Sequence, residues 1–213
     1  MIDTAAATAW SRPTRPPGQV ELSACRHLRA LAATVPANRH IVELGAYRGR
    51  STGWLLTGAQ EGHGPHLTTI DPWEDRTDPY SDSSPRYTTA RPHFEAHMRA
   101  IGASPDRHTV TRARAVDAAR TWPHGPTVAL LFHDADHTED AVHTDLTAWL
   151  PHLAPGATIA LHDAANPTMG VEAGARAALP ADHGWDWENA HTLPWARRPH
   201  RRGLLTIHHR ETR

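Results

Sequence analysis

Short apolar runs alternate along this chain with longer stretches in which apolar residues recur three or four positions apart. The runs at 41–44, 66–70, 108–111, 127–132 and 158–161 read as strands. The run at 127–132 is continuous enough for a central strand of a parallel sheet, buried on both faces. Helical spacing appears in Leu22, Cys25, Leu28, Leu31 and Val35, and again in Phe94, Met98 and Ile101. It recurs in Val142, Leu146, Trp149 and Leu150, which predict an amphipathic helix over 137–150. Trp54, Leu55 and Leu56 belong to a helix ending near Gln60, and shorter helices are expected over 113–119 and 170–179. Pro36 limits the first helix, and Pro155-Gly156 turns the chain into the fifth strand. Late strands near 185–189 and 204–208 would form a closing hairpin, joined by the basic stretch 197–202. Strands and helices in this rhythm predict a three-layer αβα sandwich around a mostly parallel sheet of seven strands.

Two stretches stand outside the rhythm. Residues 1–19 read as a loose arm with Trp10 as an anchor, so 1–36 is an N-terminal arm and helix and 37–213 the main domain. Residues 74–90 are polar and turn-rich, long for a simple connection, and read as a lid loop. With 213 residues the chain suits one domain with a full core. Its 22 basic and 23 acidic residues are interspersed, which argues against a polyanion-binding surface and hence against nucleic acid as partner. Cys25 is the only cysteine, leaving no disulfide framework. No membrane span or signal peptide is evident, so a cytoplasmic protein is expected.

The chain is organised around Ile-Val-Glu-Leu-Gly-Ala-Tyr-Arg-Gly-Arg-Ser-Thr, residues 41–52. A strand runs into a turn between Gly45 and Gly49 and then into a helix start at Ser51. Glycines allow a sharp turn and close approach to a ligand, and the helix N-terminus offers free N–H groups. The spacing matches neither the three-glycine dinucleotide fingerprint nor a phosphate loop. Glu43, just before the turn, suits a cationic or amine-bearing ligand. Asp71, ending the second strand, stands where nucleotide folds place an acceptor for ribose hydroxyls.

A second group of polar residues ends the fourth and fifth strands: His133, Asp134, Asp136 and His137, then His162, Asp163 and Asn166. Ligands of open α/β sheets bind outside these carboxyl ends. Neighbouring strands lie about 4.8 Å apart, so Asp134 and Asp163 would repel unless they share a cation. Carboxylates with waters suit Mg²⁺, and added imidazole favours Mn²⁺, Fe²⁺ or Zn²⁺. In the competing arrangement Asp134 and Asp136 cap the following helix.

The segments VELGAYRGRST, TTIDPW and HDADHTEDAVHTDLTAWLPHLAPGATIALHD together resemble class I S-adenosylmethionine-dependent methyltransferases. The resemblance covers about residues 38 to 180, and its branch is that of macrocin O-methyltransferase-like sugar O-methyltransferases of antibiotic pathways. A cephalosporin hydroxylase-like branch shares the core. It implies a Rossmann-like sheet with a C-terminal antiparallel hairpin. It also implies that Glu43, Gly45, Ala46, Tyr47 and Gly49 surround the methionine part of the cofactor, with Ser51 at the helix start. Asp71 would hold the ribose, beside Pro72 and Trp73, and Ala115 and Val116 would line the adenine pocket. Arg114-Ala115 departs from the glycine-led pair of many relatives. Asp134 would lie beneath the reacting centre.

In the metal-using members, Mg²⁺ or Mn²⁺ would be held by Asp134 and Asp163, with Asp136 nearby. His162 stands here where some relatives have a second acid. Transfer to a hydroxyl needs a base, and His137 or His162 meets the need. Tyr80, Tyr87 and Asn166 would shape the pocket of a small-molecule acceptor. The resemblance implies an O-methyltransferase of secondary metabolism, with self-association through the N-terminal segment. A metal-dependent oxygenase on the same core, or a cofactor-binding protein without catalysis, stays open.

Overall fold

Strand β1 (His40–Leu44) lies at the centre because four of its five residues are buried, and it pairs in parallel on both sides. β2 (His66–Ile70) is one neighbour, and β4 (Val128–His133), the long apolar run of the sequence, is the other. The computed structural model describes residues 18–74, 89–125, 127–194 and 203–210. The expected arm with Trp10, most of the expected lid loop and the basic stretch 197–202 therefore lie outside the described residues, as do Tyr80 and Tyr87.

β3 (His108–Thr111) adds to β2 in parallel, and β5 (Leu153–Leu161) adds to β4. β7 (Gly203–His208) runs antiparallel beside β5 and carries β6 (His191–Pro194) on its far side, so the order is β3-β2-β1-β4-β5-β7-β6. The sheet is thus seven-stranded, mostly parallel, with an antiparallel C-terminal hairpin. Connectivity reverses between β1 and β4, the switch point at which open α/β sheets leave a crevice.

Alternation along the strands feeds two apolar layers. Ile41, Leu67, Leu130 and Phe132 face one side. There they meet α1 (Leu22–Thr34), α2 (Arg50–Glu61) and α3 (Ala90–Ala100) through Leu28, Leu55 and Phe94. Val42, Leu44, Leu131 and Ile159 face the other side. They meet α4 (Ala115–Arg120), α5 (Glu139–Trp149) and α6 (Val171–Ala178), chiefly through Val142, Leu146 and Trp149. Trp149, fully buried, satisfies its indole N–H by donating to the Ala115 carbonyl at 3.1 Å.

Two strand boundaries differ from the sequence pattern. The segment expected as a strand at 185–189 contributes only an isolated bridge from Trp185 to His209, and β6 begins at His191. Trp185 is buried in the apolar layer, and Trp187 donates its indole N–H to the Leu179 carbonyl and lies under Arg176. Asn189 folds back onto the Asp186 carboxylate. β5 starts at Leu153, earlier than expected. Pro155 and Gly156 do not precede it but sit in a register shift opposite β4, where a residue without an N–H and one at φ 73° are tolerated.

Candidate functional site

The turn after β1 is held from the next strand. Asp71, ending β2, accepts the backbone N–H groups of Ala46 and Tyr47 through one oxygen, at 2.8 and 2.9 Å. Its other oxygen accepts the N–H of Trp73 at 2.6 Å. Tyr47 and Trp73 both have positive φ, 51° and 47°, and the Trp73 side chain ties the two turns together. The Trp73 indole N–H donates to the Tyr47 carbonyl at 2.9 Å while the ring packs on Phe94. Non-glycine residues hold such dihedrals only where surrounding bonds fix them.

The two glycines of the turn serve different neighbours. Gly45, at φ 87°, passes so close to the end of β4 that a Cβ there would meet the Asp134 carbonyl oxygen at 2.2 Å. Gly49, at φ 83°, starts α2, and a Cβ on it would press against Phe94 and Met98 of α3. Gly45 lines the cavity described below; Gly49 packs against helix.

Glu43 lies beneath the turn, fully buried, and accepts three hydroxyl donors. Ser51 and Thr52 reach it from α2 at 2.6 Å each, and Thr69 from β2 at 2.9 Å. Burial pushes its carboxyl up to about 7 despite those donors. Thr69 gives its proton to Glu43, so it accepts from His108 Nε2, 3.0 Å away on β3. Burial lowers His108 to about 4, which keeps it neutral for that role. Glu43 is thus a brace between three elements and not a wall of the cavity.

Outside the carboxyl ends of β1, β2 and β4 lies a cavity of about 650 Å³. Of the residues singled out for a cofactor, Gly45, Ala46, Tyr47, Ser51, Asp71, Pro72, Ala115, Val116 and Asp134 line it, while Glu43, Gly49 and Trp73 do not. Arg114 also lines it and pairs at 3.7 Å with Glu74. The far wall is α5, through Thr144 and Asp145, together with Gly18, Gln19 and Val20 ahead of α1. No sequence signal marked those positions. Asp145 is committed in addition to His133, whose Nε2 lies 3.1 Å from its carboxylate.

At the floor, beside Asp134, imidazoles and carboxylates converge. His162 Nδ1 lies 3.1 Å from Asp134 Oδ1 and 3.2 Å from Asp163 Oδ2. His137 Nε2 lies 3.2 Å from the same Asp163 oxygen and 3.8 Å from Asp134 Oδ1. Burial pushes both carboxyls up, but the His162 and His137 rings outweigh it and hold them well below the usual range. Burial also opposes charge on His162, yet the Asp134 carboxylate, with Asp163 and Glu21, raises it well above an ordinary histidine. In the protein alone the imidazolium is itself the countercharge between the two acids.

Asp134, His162 and Asp163 each place a donor atom within 4.8 Å of the others. Once a cation displaces the His162 Nδ1 proton, two carboxylates and a neutral imidazole make a donor set that fits a divalent ion, with the nitrogen favouring Mn²⁺, Fe²⁺ or Zn²⁺ over Mg²⁺. Asp136 lies outside this group. Its oxygen accepts the N–H and hydroxyl of Thr138, the N-cap of α5. Asn166 likewise accepts from the Thr168 N–H and hydroxyl in the turn after β5, and does not line the cavity. His137 lines the cavity, whereas His162 is behind the floor at 1% exposure.

Residues 42–164, more than half of the chain, match the model of a family described as a methyltransferase domain. Similar solved structures include cofactor-bound Rv0187 from MTB, 22% identical over 98% of this chain and 89% of that one, with a TM-score of 0.66. TomG from Streptomyces achromogenes, an O-methyltransferase of tomaymycin synthesis in complex with SAM, is 18% identical over 97% of this chain and 87% of its own, also at 0.66. CalS11, a TDP-rhamnose 3'-O-methyltransferase of calicheamicin biosynthesis, is 20% identical over 88% and 78%, at 0.59. At such identities the likeness is one of fold. No curated protein matches the chain.

Proposed function

The chain belongs to this methyltransferase-domain family, and on that premise we propose that it moves the methyl group of S-adenosylmethionine to a hydroxyl oxygen of a small molecule. The observation that carries this reading is the continuity of one cavity. It runs from Arg114–Val116 and Asp71, past the Gly45–Tyr47 turn, to Asp134 and His137. A nucleoside at one end would place its sulfonium above the carboxylate floor at the other.

In this reading Asp71 accepts the ribose hydroxyls as well as holding the turn, since a carboxylate has about four acceptor positions. Ala115 and Val116 flank the adenine. Tyr47 and the backbone at Gly45 and Ala46 meet the methionine part, with Ser51 at the helix start. The acidity of Asp134, kept ionised by its neighbours, favours a sulfonium over its neutral product. His137 takes the proton of the acceptor hydroxyl. It lines the cavity and is oriented by Asp163, while His162 is enclosed by three carboxylates. A divalent ion held by Asp134, His162 and Asp163 would lower the hydroxyl pKa of a bound acceptor.

The acceptor class follows from the neighbours in fold. TomG is an O-methyltransferase of tomaymycin synthesis and CalS11 a TDP-rhamnose 3'-O-methyltransferase of calicheamicin biosynthesis, so a hydroxylated sugar or ring of a natural product is the reading for this cavity. Among the described residues no helix is long and apolar enough to cross a membrane.

The test is calorimetric titration with S-adenosylhomocysteine, with and without Mn²⁺, followed by transfer of labelled methyl from S-adenosylmethionine to a panel of hydroxylated sugars and phenols. Saturable binding that is lost in Asp71→Ala supports the cofactor site. Absence of binding in the wild type sinks the proposal.

A further inference from the structure

Glu21 is the N-cap residue of α1, yet its side chain makes no hydrogen bond to its own helix. It turns inward instead. Its Oε2 lies 3.0 Å from His162 Nε2, with 6% of the Glu21 side chain and 1% of the His162 side chain exposed. The partners are 141 residues apart in sequence. The segment before them is fixed as well. Arg50, at the start of α2, donates to the carbonyls of Gly18 and Val20 at 2.7 and 3.0 Å. Gly18 lies so close that a Cβ there would stand 2.7 Å from Arg50 Cβ. Gly18, Gln19 and Val20 form part of the cavity wall.

We propose that Glu21 is a positioning residue for the reaction centre: anchored through Arg50, it holds the His162 ring by Nε2 so that Nδ1 faces Asp134 and Asp163. An imidazole can rotate about its Cβ–Cγ bond and present either nitrogen. Fixing one nitrogen with a buried carboxylate removes that freedom and sets what the other can hold. The rotamer thus assembles the Asp134–His162–Asp163 donor group, and that group exists only when the entry to α1 is docked. The N-terminal helix is therefore part of the centre's construction. The inference rests on the functional reading only for what the donor group then does.

The test uses full-length protein, ¹⁵N-labelled at histidine, with the His162 signals assigned by their loss in His162→Gln. Glu21→Gln retains an acceptor at the right length, Glu21→Asp keeps the charge but is one methylene short, and Glu21→Ala has neither. The proposal expects a protected Nε2–H signal of His162 in the wild type and in Glu21→Gln, lost in Glu21→Asp and Glu21→Ala. Mn²⁺ affinity, measured by electron paramagnetic resonance, should fall about 10- to 100-fold in the latter two, the usual cost of losing an outer partner, and little in Glu21→Gln. Binding of S-adenosylhomocysteine should not change in any of them. A His162 signal and Mn²⁺ affinity unaltered in Glu21→Asp and Glu21→Ala would overturn the proposal. So would equal losses in all three variants, since the conservative one must rescue a positioning role. If the wild type binds no Mn²⁺, the metal part of the functional reading fails and the imidazole signal alone decides for or against Glu21.

Discussion

Gly45 has no side chain where the carbonyl of Asp134 needs the room: a Cβ at Gly45 would stand 2.2 Å from that oxygen. The turn after β1 and the end of β4 are thus in backbone contact across the switch point, with the Asp134 N–H donating to the Leu44 carbonyl at 2.8 Å. Gly45→Ala adds a clash with main chain to an unfavourable φ. It should destabilise the fold by about 3 kcal/mol or more and abolish S-adenosylhomocysteine binding. Urea unfolding with calorimetry checks both, and an alanine variant with wild-type stability would contradict the geometry.

Asp71 should matter to the apo protein as well as to a ligand. Three backbone donors converge on it, and hydrogen bonds to charged groups are worth about 1.5–3 kcal/mol each before losses overlap. Asp71→Ala is expected to lower stability by about 3 kcal/mol and ligand affinity by more than a hundredfold. Asp71→Asn, with one donor group forced against an N–H, should fall between. Loss of affinity with no loss of stability would mean the turn holds itself.

Glu43 gives the fold a pH dependence of defined sign. Its folded value, about 7, lies above the ordinary 4.5 because burial disfavours the charge. The folded state therefore binds the proton more tightly than the unfolded chain. The stability this contributes is complete below about pH 4.5 and is lost as pH rises through 7, roughly 3 kcal/mol in all. The difference between wild type and Glu43→Gln in urea midpoint should shift in favour of the variant between pH 5 and 8. Parallel curves would show that Glu43 does not titrate in this range.

His137 and Asp163 separate the base from the floor. His137→Gln should leave S-adenosylhomocysteine affinity within about twofold while lowering turnover on any acceptor found by about 10²–10⁴, the usual weight of a general base. Retained turnover in His137→Gln would remove it from that role. Asp163 sits at φ 60°, a region asparagine also tolerates, so Asp163→Asn removes charge with little strain. Its Mn²⁺ affinity should drop by more than the about 10–100-fold expected of an outer partner.

Much of this was legible in the chain. The runs that became β1 and β4 are apolar because both faces of a central strand are covered, and α5 shows its inward face in Val142, Leu146 and Trp149. The carboxyl-end placement of Asp71, Asp134 and Asp163 followed from where the apolar strand runs end in the sequence. What escaped depends on contacts without a local signature. Trp185 and Trp187 imitate strand alternation, yet both indoles are used in packing and hydrogen bonding that end the extended run. Glu43 reads as a ligand group until its three hydroxyl partners, one from another strand, are seen. Glu21 carries no motif, and only the docking of α1 brings it to His162.

The carboxylate of Asp71 closes the turn at 45–47 with groups of the protein alone. The conformational entropy of that loop is surrendered during folding and not at the moment of association. A ligand entering the cavity meets a finished surface, so its affinity should reflect contact and desolvation, and its arrival should follow simple one-step kinetics without a slow isomerisation of the glycine turn.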